Sequence, residues 1–419
     1  MRESTLLHEL VTVGAERAAS SVALTSGTQS VTYGELAHAV TAFAAGVAGL
    51  GLGRGERVAI YLDKRPEMVI AAFGAAAAGA AFVPVNPVLK AAQVAYILHD
   101  CGVRVLVTSP ERHAELAGVL AQAPELRHVV LVPAKLVDAR TRSANSEAGI
   151  GTLSWRDLLD GAGAPAHRVI DADMAAILYT SGSTGKPKGV VLSHRNMVTG
   201  AKSVASYLGN HAGDTLLAAL PLSFDAGFSQ LTTAFHARAR VVLLNYLMPR
   251  DVLNAMLRER VTGLTAVPPL YIQLTQLDWP EAIGEHLRYF ANTGGRMPLD
   301  TLQTLRTKVP RAKPFLMYGL TEAFRSTYLP PEEVDRRPDS IGKAIPNAAI
   351  LVLRPDGTPC APNEPGELVH RGALVAMGYW NDPVKTAERY KPLPGREAGL
   401  VLPEIAVFSG DTVRMDDDG

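Results

Sequence analysis

Leu178-Tyr179-Thr180-Ser181-Gly182-Ser183-Thr184-Gly185-Lys186-Pro187-Lys188-Gly189-Val190 sets four Ser/Thr hydroxyls, three glycines and two lysines between apolar flanks. Glycine lets a backbone approach a ligand closely and adopt φ > 0. Successive N–H groups in such a turn form an anion-binding concavity, to which lysines add point charge. Ile177-Leu178-Tyr179 reads as a strand end and Val190-Val191-Leu192 as the return strand. The stretch is therefore a glycine-rich loop between strands, suited to polyphosphate. It is not the common P-loop, which needs Gly, four residues, then Gly-Lys-Ser/Thr opening a helix. Thr180 stands where the first Gly should be, and Pro187 where the Ser/Thr should be.

Outward from this loop the chain alternates strands and helices. Arg57–Leu62 is a strand, Glu67–Gly79 a buried helix, Ala81–Val85 a buried strand, Val103–Thr108 a strand, Glu111–Gln122 a helix and Val129–Val132 a strand. Residues 138–149 read as a polar loop. A second series, with Ala239–Leu244 and Thr265–Val267 as strands, runs from about Ala176 to Gly319. This rhythm predicts an α/β fold with mainly parallel sheets. From about Pro330 short strands alternate with Pro/Gly turns, which predicts a small β-rich unit. The expected division is 1–175, a first α/β subdomain; 176–330, a second one carrying the phosphate loop; and 331–419, the β-rich unit.

Bulk properties narrow the classes of function. With 41 Lys+Arg against 41 Asp+Glu, the 419-residue chain has no basic field for nucleic acid and no basic tail for a membrane surface. The uncharged run Met68–Leu89 is too weakly hydrophobic, and too broken by Pro84 and Pro87, to span a bilayer. Two distant cysteines, Cys101 and Cys360, read as reduced thiols, and Met1-Arg2-Glu3-Ser4 does not begin a signal peptide; the expected location is cytoplasmic.

The phosphate loop resembles the signature of the AMP-forming adenylate synthetases, the superfamily of acyl-CoA synthetases, adenylation domains of nonribosomal peptide synthetases and firefly-type luciferases. Further stretches resemble that family in the same order: Val31-Thr32-Tyr33-Gly34-Glu35-Leu36, Gly79 to Pro87, Tyr318-Gly319-Leu320-Thr321-Glu322, Gly366-Glu367-Leu368, Gly378-Tyr379-Trp380 and Ser409-Gly410-Asp411. Met317 to Trp380 looks most like ligases of bacterial exosortase gene clusters. The resemblance implies a large N-terminal domain whose β-rich unit is a distorted barrel, followed by a mobile C-terminal domain of about a hundred residues, the size of a small domain, that supplies a lysine for adenylate formation. The abrupt end at Asp417-Asp418-Gly419 reads as a truncation before that domain. A chain of this length is expected to bind ATP and form adenylate poorly.

The reaction so implied joins a carboxylate and ATP to give acyl-AMP and pyrophosphate, then passes the acyl group to a thiol of CoA or of a carrier-protein phosphopantetheine. By resemblance, Thr180, Ser181, Gly182, Ser183, Thr184, Gly185, Lys186 and Lys188 clamp the β- and γ-phosphates. Thr321 contacts the α-phosphate, and Glu322 is the hard oxygen ligand for Mg2+. Tyr318, with Met317 and Gly319 beside it, offers a ring face to adenine. Gly294, Gly295 and Arg296 line the base edge, and Asp411 takes the ribose hydroxyls. Leu316 stands where amino-acid-activating members often carry Asn, and Leu320, in place of Pro, is more like acyl-CoA synthetases.

For the acid, Phe224-Asp225 resembles the motif whose Asp pairs with a substrate α-ammonium group. A buried Asp needs a partner, and the alternative is a cap on a helix starting near Ala226. Arg325 is placed to meet a second substrate carboxylate or to sit at the surface. Phe228, Ser229, Thr293, Met317 and Ser326 are lining candidates, and nothing suggests a long apolar tunnel. Three readings stand: a ligase for a small, amino-bearing acid that loads a carrier protein, favoured by Asp225; a CoA ligase for an acyl or aryl acid, favoured by Leu320; and a nucleotide-binding module without catalysis. The motifs do not separate these from luciferase chemistry.

Overall fold

The computed structural model describes residues 2–134, 149–161, 163–180, 186–394, 399 and 402–419. The polar loop expected at 138–149 falls, but for Gly149, outside them. The βα rhythm becomes two large sheets. The eight-stranded sheet runs, in spatial order, Gly378–Tyr379, Lys188–Ser193, Met174–Thr180, Ala81–Pro84, Arg57–Tyr61, Val103–Thr108, His128–Leu131 and Gly151–Ser154. Its strands pair in parallel except at the edge formed by the first three. The nine-stranded sheet runs Lys343–Ala344, Thr327–Leu329, Lys313–Tyr318, Tyr289–Asn292, Gly263–Ala266, Thr215–Ala218, Arg240–Leu243, Val22–Ser26 and Gln29–Thr32. It is parallel through the middle and antiparallel at both edges. The β-rich region expected to resemble a barrel is a four-stranded antiparallel sheet, Ala348–Leu353, Gly366–Gly372, Ile405–Val413 and Tyr390–Pro392.

Sheet membership does not follow a division at residue 175. Val22–Ser26 and Gln29–Thr32 extend the nine-stranded sheet, while Met174–Thr180 and Lys188–Ser193 extend the eight-stranded one. The reason lies at the start of the Tyr33–Gly49 helix. Thr32 and Glu35 cap its first turn reciprocally. The Tyr33 ring is fully buried and its hydroxyl donates to Ala239 O at 2.8 Å, which ties the N-terminal strands to Arg240–Leu243. The Val31–Leu36 motif is thus architectural. Gly79, at φ +85°, ends the Pro66–Ala78 helix in the left-handed region and turns the chain into Ala81–Pro84. The helix expected over 111–122 is instead Pro110–Leu116 followed by a 3-10 turn, Leu120–Gln122; Gly118, a poor helix former, lies between them.

The core joins the sheets. Phe228 and Phe235 of the Asp225–Ala237 helix and Phe73 of the Pro66–Ala78 helix pack with Phe82 of the eight-stranded sheet, centroids 4.7 to 5.7 Å apart. The Asp225–Ala237 helix is buried along nearly its whole length, so its first turn is held in place from both sides.

Candidate active site

Thr180 and Lys188 face each other in register across the antiparallel pair that carries the phosphate loop. Ser181, Gly182, Ser183, Thr184 and Gly185 lie outside the described residues. Lys186 is exposed. The strand entering the loop is fixed by Tyr179, whose hydroxyl donates to Asp100 Oδ2 at 2.5 Å. Lys188 Nζ lies 5.3 Å from the centre of the Tyr379 ring.

The Lys313–Tyr318 strand delivers the second motif. After Tyr318 the chain turns through Gly319 and a 3-10 segment, Thr321–Ala323, and returns as Thr327–Leu329. Phe324 sits at φ +60°, ψ −61°, a conformation that costs an aromatic residue about 1–3 kcal/mol. The turn persists because its surroundings hold it: Ser326 N donates to Tyr318 O at 3.1 Å, and Ser326 Oγ pairs with buried His370 Nδ1 at 3.0 Å. Burial drives the His370 pKa down to about 4, so its ring is neutral at physiological pH.

Within this turn Glu322 Oε1 accepts the Tyr379 hydroxyl at 2.5 Å, and Glu322 O accepts Ala376 N at 2.9 Å. Burial, and then the Glu322 carboxylate, push the Tyr379 phenol up, so it is a standing donor. Lys188, Tyr379 and Glu322 therefore converge from three separate strands and turns. Among the described residues no group of three or more His, Cys, Asp or Glu converges on one point. A magnesium ion here would be held by Glu322 together with nucleotide oxygens, the mode this hard cation favours.

Tyr318 and Asp411 meet as well. The Tyr318 hydroxyl donates to Asp411 Oδ2 at 2.5 Å, and Asp411 N donates to Ser409 Oγ at 3.1 Å, which itself donates to Leu368 O at 2.7 Å. Burial and Asp411 raise the Tyr318 pKa. Gly294 and Gly295 follow the Tyr289–Asn292 strand, and Asn292 Nδ2 donates to Gly295 O at 2.7 Å. The Arg296 side chain points elsewhere, to exposed Asp339. Thr293 is buried beside this turn.

Asp225 is neither a helix cap nor unpartnered. It is the first residue of its helix, behind the N-cap Phe224, with no side-chain cap bond. Its Oδ2 accepts Arg325 Nη1 at 2.7 Å, and its Oδ1 accepts Thr321 Oγ1 at 3.3 Å. The side chains are 12% and 3% exposed, so this is a buried ion pair. Arg325 Nη1 also donates to Phe324 O at 2.8 Å, and Nε is buried without a partner. Arg325 lines a cavity of about 20 Å3 with Ala226, Ser229, Gln230, Thr233 and Met317, room for about one water molecule. Phe228 lies instead in the aromatic core, and Ser326 faces His370.

The family model for AMP-binding enzymes matches residues 11–380, spanning both the phosphate loop and Tyr318–Glu322. The chain belongs to this family. An L-proline–[L-prolyl-carrier protein] ligase of Streptomyces coelicolor is 32% identical over 379 residues, covering 86% of this chain and 69% of that protein. A feruloyl-CoA synthase of an Amycolatopsis species is 31% identical over 407 residues, covering 95% and 74%. A linear gramicidin synthase of Brevibacillus parabrevis is 29% identical over 417 residues, 99% of this chain, and the chain spans only 5% of that protein. Among solved structures, VinN superposes with a TM-score of 0.82 at 30% identity, covering 100% and 98% of the two chains. Among the described residues no helix is long and apolar enough to cross a membrane.

Sequence reasoning about this AMP-binding enzyme missed two contributors. Tyr379 sits in a quoted motif, Gly378-Tyr379-Trp380, yet its hydrogen bond to Glu322 arises only because Gly378–Tyr379 pairs with the phosphate-loop strand. Gln230 carries no motif signal; its position five residues after Asp225 puts it on the same buried helix, where it lines the cavity.

Proposed function

We propose that this AMP-binding enzyme activates a small polar carboxylic acid. The acid's carboxylate oxygen attacks the α-phosphorus of ATP, the bond to the β-phosphate oxygen breaks, and pyrophosphate leaves with the electron pair. A thiol of CoA or of a carrier-protein phosphopantetheine then attacks the acyl carbon and AMP leaves. Neutralising and orienting two anions dominates such a step. Lys188 and the phosphate loop supply positive charge and N–H donors, Thr321 a hydroxyl that turns from Asp225 to the α-phosphate when nucleotide is bound, and Tyr379 a fixed rotamer for Glu322. Magnesium, held by Glu322 and the phosphates, would supply charge neutralisation. Tyr318 and Asp411 would take the adenosine.

The observation that carries the substrate class is the buried Asp225–Arg325 pair against Thr321. A substrate bearing an ammonium and a second carboxylate can engage both members without leaving either buried charge unmatched. VinN, similar over the whole chain, is known in complexes with L-aspartate and with 3-methylaspartate, which supports this reading. A second reading has its own support: Arg325 already neutralises Asp225, so the pair can be purely structural and the acid a plain aryl or acyl acid. Pyrophosphate release against amino-dicarboxylic, amino, aryl and short acyl acids tests both. A preference for amino-dicarboxylic acids that is lost in Asp225→Ala supports the first; an aryl or acyl preference untouched by that substitution overturns it.

A further inference from the structure

Lys64 lies outside every motif discussed so far, in the tip that follows the Arg57–Tyr61 strand of the eight-stranded sheet. Its ammonium reaches across to the nine-stranded sheet. Nζ donates to three consecutive carbonyls, Ala218 O at 3.1 Å, Ala219 O at 2.7 Å and Leu220 O at 3.3 Å. In an extended strand successive carbonyls point in opposite directions. Three in a row can face one cation only where the chain has left the strand and curled. Ala219 N, which donates back to Leu217 O at 3.0 Å, marks that curl as a tight three-residue turn. The tip that carries Lys64 is itself anchored: Lys64 N donates to Asn245 Oδ1 at 3.1 Å, and Asn245 Nδ2 donates to Lys64 O at 2.8 Å. Burial pushes the ammonium's pKa down to about 7, and the three carbonyls are the acceptors that oppose that loss of charge.

What this curl launches is the segment from Ala219 to Phe224, which ends at Asp225. The side chains of Ala219, Leu220 and Leu222 are buried, but the segment's backbone makes few other hydrogen bonds. Leu220 N donates to Gln230 Oε1 at 3.3 Å, Phe224 N to Pro221 O at 3.4 Å, and Ser223 Oγ is buried without a partner. The segment packs against Gly227 so closely that a Cβ there would lie 1.8 Å from Pro221 O. A small rotation at the curl therefore carries straight into the first turn of the helix, where Asp225 faces Arg325.

We propose that Lys64 is a positioning residue for the acid site: by gathering the carbonyls of Ala218, Ala219 and Leu220 it sets the exit from the Thr215–Ala218 strand, and so the placement of Asp225. This deepens the proposed function and rests on its location of the acid. Among the described residues the hydrogen bonds of Lys64 go to Asn245 and to the carbonyls of Ala218, Ala219 and Leu220; it acts through the backbone that leads to Asp225.

The test compares wild type, Lys64→Met, Lys64→Arg and Asn245→Ala for KM of the acid, KM of ATP, thermal midpoint and the order of preference among acids. Calorimetric Kd values serve as the same readouts wherever turnover is too slow. Lys64→Met is expected to raise KM of every acid tested about 10- to 100-fold, the scale of a misplacement of about 1 Å. KM of ATP and the preference order should be unchanged. Lys64→Arg, which keeps the charge and several donors, should recover part of the loss. Asn245→Ala, which leaves the ammonium in place and loosens its tip, should fall between, and it decides the matter if Lys64→Met does not fold. Equal losses for acid and ATP, or a lowered thermal midpoint with both KM values unchanged, would make Lys64 a general tie between sheets and overturn the proposal. A wild-type preference for aryl acids would overturn the assigned substrate class instead, while the acid-specific effect of Lys64 remained readable.

Discussion

Replacing Arg325 alone should destabilise the protein far more than replacing Arg325 and Asp225 together. Their side chains are 3% and 12% exposed and joined at 2.7 Å. In Arg325→Met the Asp225 carboxylate keeps only Thr321 Oγ1, at 3.3 Å, as a donor. Removing one partner of a buried ion pair costs about 3–5 kcal/mol, whereas replacing both by apolar groups of similar volume is close to neutral. With an unfolding entropy of about 2.1 cal/mol/K per residue, a loss of about 4 kcal/mol lowers the thermal midpoint of a chain this size by roughly 4–5 °C. The assay is thermal and urea unfolding at pH 7.5 of wild type, Arg325→Met, Asp225→Leu and the double variant. Each single substitution should fall well below wild type, the double should recover to within about 1 kcal/mol of it, and the coupling should exceed about 2 kcal/mol. Additive single effects, or a midpoint in Arg325→Met within a degree of wild type, would refute the reasoning.

Acid should unfold the chain earlier than its carboxylates alone require. His194, buried against His8, and His370 are both held down to about 4 by burial, from 6.5. Their neutral forms support the fold fully above pH 6.5, and that support is lost as pH falls toward 4, about 2 kcal/mol for each histidine at pH 5. A urea midpoint that stays flat from pH 7.5 to 5 would contradict this. Glu322→Gln should cut the magnesium-dependent rate by about 100-fold or more while ATP affinity measured in EDTA stays within about threefold; equal losses in both would count against a metal role. Gly227→Ala places a Cβ 1.8 Å from Pro221 O, a backbone atom that cannot step aside. It should cost more than about 3 kcal/mol, and a thermal midpoint within a degree of wild type would be inconsistent with the packing described.

The local elements were legible because their physics is local. The antiparallel pair Met174–Thr180 and Lys188–Ser193 announces itself by apolar runs on either side of a glycine- and hydroxyl-rich stretch of sequence, and Thr180 and Lys188 do pair across it. Likewise Pro66–Ala78 and Ala81–Pro84 follow from a continuous apolar run broken at Gly79. Which sheet each strand joins was not legible. Val22–Ser26 could pair with any strand of matching pattern, and tertiary contacts such as burial of Tyr33 against Ala239 place it beside Arg240–Leu243.

The same boundary runs through the site. Sequence alone determined the glycine- and hydroxyl-rich stretch between two strands, the Tyr318–Glu322 motif and a charged residue at 225, since residue type and short spacing suffice for these. Tertiary structure decided who meets whom: Asp225 with Arg325, Tyr318 with Asp411, Glu322 with Tyr379, and Lys64 with Ala218, Ala219 and Leu220. These partners lie 57 to 156 residues apart in the chain. Coulomb and hydrogen-bond energies act only within a few ångströms, so no pattern along the chain can specify such pairs until the sheets have stacked and brought their strand ends together.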